Sequence, residues 1–171
     1  MRCPHCHAEN LDGIDECADC GQTLTEFIPI GSELERSITS HAIEVLAPVA
    51  PVTISPQTTV KAAMRAMIDR KIGCLVVTEA HRLCGIFTER DILNKVTPDM
   101  TRLEAPVAEF MTRNPATVTT RDSIAYTLQS MDMGGYRHMP VVDDNGTPIG
   151  VISIRDILRF LCIRFAALRA E

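Results

Sequence analysis

Gly85-Ile86-Phe87-Thr88-Glu89-Arg90-Asp91-Ile92-Leu93 and Gly150-Val151-Ile152-Ser153-Ile154-Arg155-Asp156-Ile157-Leu158 are two copies of one phrase, set at an offset of 65. The echo extends upstream. Val60, Met67 and Ile72 answer to Ile124, Met131 and Tyr136 at an offset of 64, and Val76-Val77 answers to Val141-Val142 at 65. One residue has therefore been inserted around Pro140. A repeat of this kind is read before anything else, because it sets the fold. Each phrase describes an apolar strand that runs through a glycine into a polar helix start.

Working outward, each copy predicts the order β-α-β-β-α. In the first, Val52-Thr53-Ile54 is extended, and a helix follows with Val60, Met64, Met67 and Ile68 on one face and Lys61, Arg65 and Asp69 outside. Cys74-Leu75-Val76-Val77 and Leu83-Cys84-Gly85-Ile86-Phe87 are strands joined by a polar turn near Ala80-His81-Arg82. Thr88 opens a second helix through Ile92, Leu93 and Val96. In the second, Ala116-Thr117-Val118 is extended and Ser123 to Met131 is helical. Met139-Pro140-Val141-Val142 and Ile149-Gly150-Val151-Ile152 flank a hairpin turn at Asp143-Asp144-Asn145-Gly146. Ser153 opens a last amphipathic helix through Leu158, Leu161, Ile163 and Phe165. One such unit has too little core to stand alone, so the two are expected to pack together. Upstream, Thr25 to Gly31 reads as a linker and Ser32 to Leu46 as a helix stopped by Pro48 and Pro51.

The repeats resemble a tandem pair of CBS (cystathionine-β-synthase) domains, a Bateman module, over about residues 43–163. The resemblance rests on the ordered double repeat, the paired Gly-x-x-[Thr/Ser]-x-x-Asp phrases and the Tyr136-Arg137-His138-Met139-Pro140-Val141-Val142 strand start. It implies an α/β (α+β) fold in which two β-α-β-β-α repeats pack as a pair.

The chemistry of the phrase points the same way. First-turn amides of a helix are unpaired donors beside a partial positive charge. Thr88 and Ser153 add a hydroxyl, Arg90 and Arg155 a guanidinium, and Asp91 and Asp156 an acceptor suited to the diol of a ribose. A base would lie near Thr53-Ile54 or Thr117-Val118 and the strand starts at Cys74 and Met139-Pro140. The same residues also spell a capping box, which satisfies backbone amides without any ligand. Resemblance to CBS pairs implies an adenosyl ligand (AMP, ADP, ATP or S-adenosylmethionine) in clefts between the repeats. It places riboses on Asp91 and Asp156, phosphates on Thr88 and Ser153, and Arg137 and His138 within reach of a phosphate. Gly73-Cys74 stands where Arg137-His138 aligns, so the two clefts are unequal.

Ahead of the repeats, Cys3-Pro4-His5-Cys6 and Cys17-Ala18-Asp19-Cys20-Gly21 form a C-x2-C, x10, C-x2-C array. Two tight turns presenting four thiolates suit one tetrahedral Zn²⁺, and four thiolates leave no open position, so the site reads as structural. Rubredoxin-like iron and a redox or disulfide pair are the competing readings. The array resembles a short zinc ribbon, and so few residues would need the metal's binding energy to fold.

Composition bounds the rest. The 171 residues are 46% apolar and 23% charged, as in a globular protein. The net charge is −5. Residues 1–31 hold Arg2 against Glu9, Asp12, Asp15, Glu16, Asp19 and Glu26, so the acidity is concentrated there. Thiolates on zinc would add to it, which argues against nucleic acid and for a protein contact through the ribbon. No apolar run approaches the ~18–20 residues that span a bilayer. A cytoplasmic location is expected, with reduced cysteines. Met64, Met67, Met131 and Met139 read as core fillers, as do Cys74, Cys84 and Cys162. No catalytic constellation is present among His41, His81, His138 and their neighbours, so an enzyme is not expected. The expected organisation is a four-cysteine zinc ribbon at 1–26, a linker and helix at 27–42, one repeat at 43–98, and a second at 107–171 including a C-terminal helix. The expected function is a regulatory adenosyl-ligand sensor that forms homodimers through apolar stripes around Leu128, Met131, Leu158 and Phe165. The alternative is a ligand-free adaptor that serves as a dimerisation platform.

Overall fold

The computed structural model describes residues 2, 3, 6, 8–11, 14, 16–21, 24 and 41–168. The linker expected at Thr25 to Gly31, and the expected helix as far as Ser40, lie outside the described residues. The described end of that helix, Ile43–Leu46, is a 3-10 turn closed by Ala47 in the left-handed region.

The chain groups into two compact units. One draws on Met1–Ala47, Arg121–Arg137 and Ser153–Glu171, the other on Pro48–Thr120 and His138–Ile152. The second unit contains the first repeat from Pro48 onward. Strand β1 (Thr53–Ile54) leads to helix α1 (Val60–Arg70), β2 (Cys74–Glu79), β3 (Arg82–Thr88) and a three-residue α turn, α2 (Glu89–Asp91). The expected α-helix from Thr88 through Val96 is not regular. After α2 the chain widens into a π-helix at Ile92–Val96, where the Thr97 amide reaches back to the Ile92 carbonyl at 2.9 Å. The sheet order is β1-β2-β3-β4, with β4 at Thr112–Arg113; β1 runs parallel to β2, and β2-β3 and β3-β4 are antiparallel. The core beneath it gathers Val60, Met67, Leu75, Val77, Phe87 and Phe110.

Helix α1 starts where the sequence allows. The Thr59 hydroxyl accepts from the Ala62 amide at 3.2 Å, a cap that contributes about 1 kcal/mol. Helix α3 (Ile124–Gly134) starts the same way on Ser123, which accepts from Tyr126 at 3.0 Å. Their C-caps differ: Gly135 (φ 64°) closes α3 with ease, whereas Lys71 (φ 54°) holds the same left-handed geometry with a side chain.

The second repeat supplies the hairpin β5 (His138–Val142) and β6 (Pro148–Ser153) to the second unit, and α3 and α4 (Ile154–Leu168) to the first. The hairpin turn is held by the Asp143 carboxylate, which accepts from the Asn145 and Thr147 amides at 2.9 and 2.8 Å. These bonds lower the Asp143 pKa, the Thr147 amide first among them. In place of a full first strand, Val118 makes one parallel bridge to Val141, matching Thr53 on Val76.

Each repeat is completed by the segment that precedes the other. Thr59 bridges Pro106, and Ser123 bridges Ala42. Ile43 and Ile124 exchange amide bonds with Asp122 and His41, just as Val107 and Val60 do with Thr58 and Ala105. Likewise β4 lies along β3, and Val49 bridges Val151 in β6. This exchange explains the glycine of each phrase. A Cβ on Gly85 would stand 2.5 Å from the Met111 Sδ, and one on Gly150 would stand 2.7 Å from the Pro48 Cβ. The glycines are needed for the close approach of the exchanged segments.

Candidate functional site

The two phrases fold into the same local device. In the first, Asp91 Oδ2 accepts from the Thr88 amide at 2.9 Å and from the Thr88 hydroxyl at 2.7 Å, while that hydroxyl accepts from the Asp91 amide at 3.2 Å. In the second, Asp156 Oδ2 accepts from the Ser153 amide at 2.8 Å and hydroxyl at 2.6 Å, and the Asp156 amide donates back at 3.4 Å. Both are capping boxes. The hydroxyl oxygens of Thr88 and Ser153 lie within hydrogen-bond distance of their own carboxylates, at 2.7 and 2.6 Å.

The second oxygen separates the two. Asp91 Oδ1 is bound by Lys95 Nζ at 2.6 Å and faced by the Thr112 hydroxyl at 3.4 Å. Lys95 also donates to the Phe110 carbonyl at 2.7 Å. Asp91 is buried to 7% side-chain exposure, and every acceptor position is taken. Among the described residues no donor reaches Asp156 Oδ1, and this carboxylate is only half-buried. Residue 160, four after Asp156, is Phe160, whose ring lies 5.6 Å from that of His41. Sequence reasoning missed Lys95, although a lysine four residues after a carboxylate on a helix is a readable signal.

The strand starts also differ. The Gly73 carbonyl accepts from the Glu89 amide at 3.1 Å, and the Arg137 carbonyl from the Ile154 amide at 3.0 Å. These equivalent bonds match Gly73 to Arg137, so the extra residue of the second copy lies between His138 and Val141. Glu89 thus occupies the place that Ile154 holds in the other phrase. A Cβ at Gly73 would meet His138 Cε1 at 3.1 Å and Glu89 Oε2 at 3.3 Å, so the imidazole and the carboxylate line the space the glycine leaves. Burial, with Glu89 adding to it, pushes the Cys74 thiol up to about 12, so it is a neutral core group.

The remaining candidates divide by burial. Cys74, Val118, Met139 and Pro140 are buried, and Ile54 packs against the first-repeat core. Thr53, Arg90, Arg137 and Arg155 are exposed, and Thr117 and His138 are half-buried. The register joins Thr53, Ile54, Cys74 and Thr88 on neighbouring strands of one unit, and Val118 lies beside Pro140 and Val142 in the same unit. Arg137, Ser153, Arg155 and Asp156 belong to the other. Two further expectations are corrected. Cys162 is exposed on α4, because its position falls on the outer face of the helix. Met131 is buried beneath α3 at 1% exposure, so it is not part of an apolar surface stripe.

At the N-terminus the Sγ atoms of Cys3, Cys6, Cys17 and Cys20 lie within 4.8 Å of one another, with contacts of 3.6 Å for Cys3–Cys20 and 3.5 Å for Cys6–Cys17. No disulfide joins any of the seven cysteines. A tetrahedron with metal–sulfur bonds of about 2.3 Å has edges of roughly 3.8 Å, so the cluster can hold a metal ion. Asn10 braces it, with its amide nitrogen 3.4 Å from Cys17 Sγ and its oxygen accepting from the Ala18 amide at 3.0 Å. Among the described residues no helix is long and apolar enough to cross a membrane.

Comparison with known proteins agrees with this geometry. The CBS domain family model matches twice, over residues 44–101 and 107–163. An "Uncharacterized 17.7 kDa protein in bps2 3'region" of Acidianus ambivalens is 34% identical over 109 residues, 63% of this chain and 65% of that protein. The CBS domain-containing protein CBSCBSPB5 of Arabidopsis thaliana is 39% identical over 108 residues, 62% of this chain but 20% of the relative. The chain thus spans a fifth to about two-thirds of the curated relatives it matches. Among solved structures, the CBS-domain containing protein ATU1752 from Agrobacterium tumefaciens matches with a TM-score of 0.65 and 30% identity, covering 70% of this chain and 97% of that one. The CBS domain protein PAE2072 from Pyrobaculum aerophilum, complexed with AMP, matches with a TM-score of 0.62 and 28% identity, covering 71% and 98%. Two matched domains, a shared fold and paired signature turns lead to one conclusion: the chain belongs to the CBS-domain family, as a tandem pair preceded by a four-cysteine cluster.

Proposed function

We propose that this chain is a regulatory module that binds an adenosine nucleotide at the signature turn of its second repeat. The observation that carries the reading is the half-buried Asp156 carboxylate, fixed through Oδ2 by Ser153 and keeping Oδ1 without a partner among the described residues. A rigid carboxylate with one open oxygen is suited to the vicinal hydroxyls of a ribose. The exposed guanidinium groups of Arg137 and Arg155 provide charge-assisted donors for a phosphate. AMP in the related PAE2072 structure supports this ligand class. Binding would regulate a partner only if the ligand prefers one arrangement of the module over another. A homodimer fits the exposed Leu158, Ile163 and Phe165 of α4.

The chain has no Trp and two Tyr, so a co-purified nucleotide would dominate its ultraviolet spectrum. The test is a thermal-shift titration with AMP, ADP, ATP and S-adenosylmethionine. A rise in melting temperature with at least one of them is expected; no shift with any of them overturns the reading and leaves a ligand-free adaptor.

The cysteine cluster is proposed to hold one structural Zn²⁺ through Cys3, Cys6, Cys17 and Cys20, with the ribbon serving protein contacts. One equivalent of zinc released by thiol titration is the expected result. Iron, or no bound metal, would contradict it.

A further inference from the structure

We infer that Lys95 is a built-in occupant of the first repeat's signature turn, so that the chain takes one nucleotide and not two. This rests on the proposed function, because it concerns the turn equivalent to the one assigned there.

The acceptor capacity of Asp91 is exhausted. Oδ2 holds the Thr88 amide and hydroxyl, and Oδ1 holds the Lys95 ammonium at 2.6 Å with the Thr112 hydroxyl beyond it. Most i, i+4 pairs on a helix surface contribute little. This one is different in kind: the carboxylate is 7% exposed, and the ammonium is held from its other side by the Phe110 carbonyl at 2.7 Å. A ribose hydroxyl is a neutral donor, and its bonds are weaker than the charge-assisted bonds it would have to replace. Lys95 lies in the π-helix at Ile92–Val96, four residues after Asp91.

Charge excludes the other end of a nucleotide as well. Glu89 stands at the first helical position, beside the space left by Gly73, and would face a phosphate there. The second repeat has Ile154 at that place, Arg137 in place of Gly73, and Phe160 in place of Lys95. Three substitutions therefore separate two turns that share the same signature. Lys95 and Glu89 act as specificity determinants by closing one of them.

The test is calorimetric titration of AMP into the full-length protein, into Asp156→Asn, which keeps the cap acceptor, and into Asp91→Ala. Wild type is expected to bind one AMP per chain. Asp156→Asn should weaken binding by about tenfold or more, the loss of a charged hydrogen-bond acceptor. Asp91→Ala should bind AMP as wild type does while melting at lower temperature. Two AMP per wild-type chain would overturn the inference yet keep the proposed function. Loss of binding in Asp91→Ala with retention in Asp156→Asn would overturn both the inference and the placement of the nucleotide at the second turn. The wild-type stoichiometry decides the matter even if Asp91→Ala does not fold. No binding of AMP, ADP, ATP or S-adenosylmethionine to wild type would overturn the proposed function and this inference with it.

Discussion

The signature turns of the two repeats share a backbone and differ in what completes it. In the first, Asp91 is buried and paired with Lys95, and Glu89 adds a negative charge beside it. In the second, Asp156 is half-buried, one of its oxygens has no donor among the described residues, and two arginines are nearby in sequence. One turn has become a structural lock and the other has stayed open. On the proposed reading, a shared motif specifies the local fold, while residues one turn further along decide whether it takes a ligand.

Replacing Lys95 should break the comparison most severely. Lys95→Met leaves the buried Asp91 carboxylate without its counter-charge, and we expect a loss of about 3 kcal/mol in denaturant unfolding. Phe160→Leu at the equivalent place removes only packing against His41 and should cost about 1 kcal/mol. Equal effects would mean that the first turn is no more locked than the second.

The exchanged segments provide the next contrast. Gly150→Ala drives a Cβ into the rigid Pro48 ring, at 2.7 Å, and should cost about 2 kcal/mol. Gly85→Ala meets the Met111 sulfur, which can swing aside, and should cost about half as much. Melting curves of the two variants would rank them.

Cys74 gives the first repeat a group whose titration can be followed. The folded protein raises the Cys74 thiol from 9.0 to about 12, burial being the main cause. The native state therefore favours the neutral form; its contribution is complete below pH 9 and is lost as pH rises from 9 to 12. Cys74→Ala should flatten stability over that window, and alkylation of the native chain should label exposed Cys162 well before Cys74. The smallest effect is expected at the helix C-caps. Lys71→Gly should stabilise by up to about 1 kcal/mol, because Lys71 holds the left-handed geometry that Gly135 adopts freely.

Much of this fold is legible in the sequence because both periodicities are present twice. The strand starts, the hairpin at Asp143 and the helices at Val60 and Ser123 follow from apolar spacing and turn chemistry. The inserted residue near Pro140 is visible as a change of offset. The exchange of segments is not, since bridges such as Ala42–Ser123 and Thr59–Pro106 join residues far apart in the chain with no local signal. Nor is the role of the phrase's glycine, which serves the approach of Met111 and Pro48. At the candidate site, the carboxylates and hydroxyls are legible as a group. Arg137 and His138 mark their inequality in the sequence, yet the larger difference lies at Lys95, whose second acceptor, the Phe110 carbonyl, comes from a separate part of the chain.

In the proposed function Asp156 holds the ribose of the nucleotide. The most direct measurement compares AMP with its 2',3'-dideoxy analogue on wild type and on Asp156→Asn. Wild type should prefer AMP by about tenfold, as expected for hydrogen bonds to a charged acceptor, and the preference should collapse in the variant. Equal affinity of wild type for the two ligands, or a preference that survives in Asp156→Asn, would contradict it.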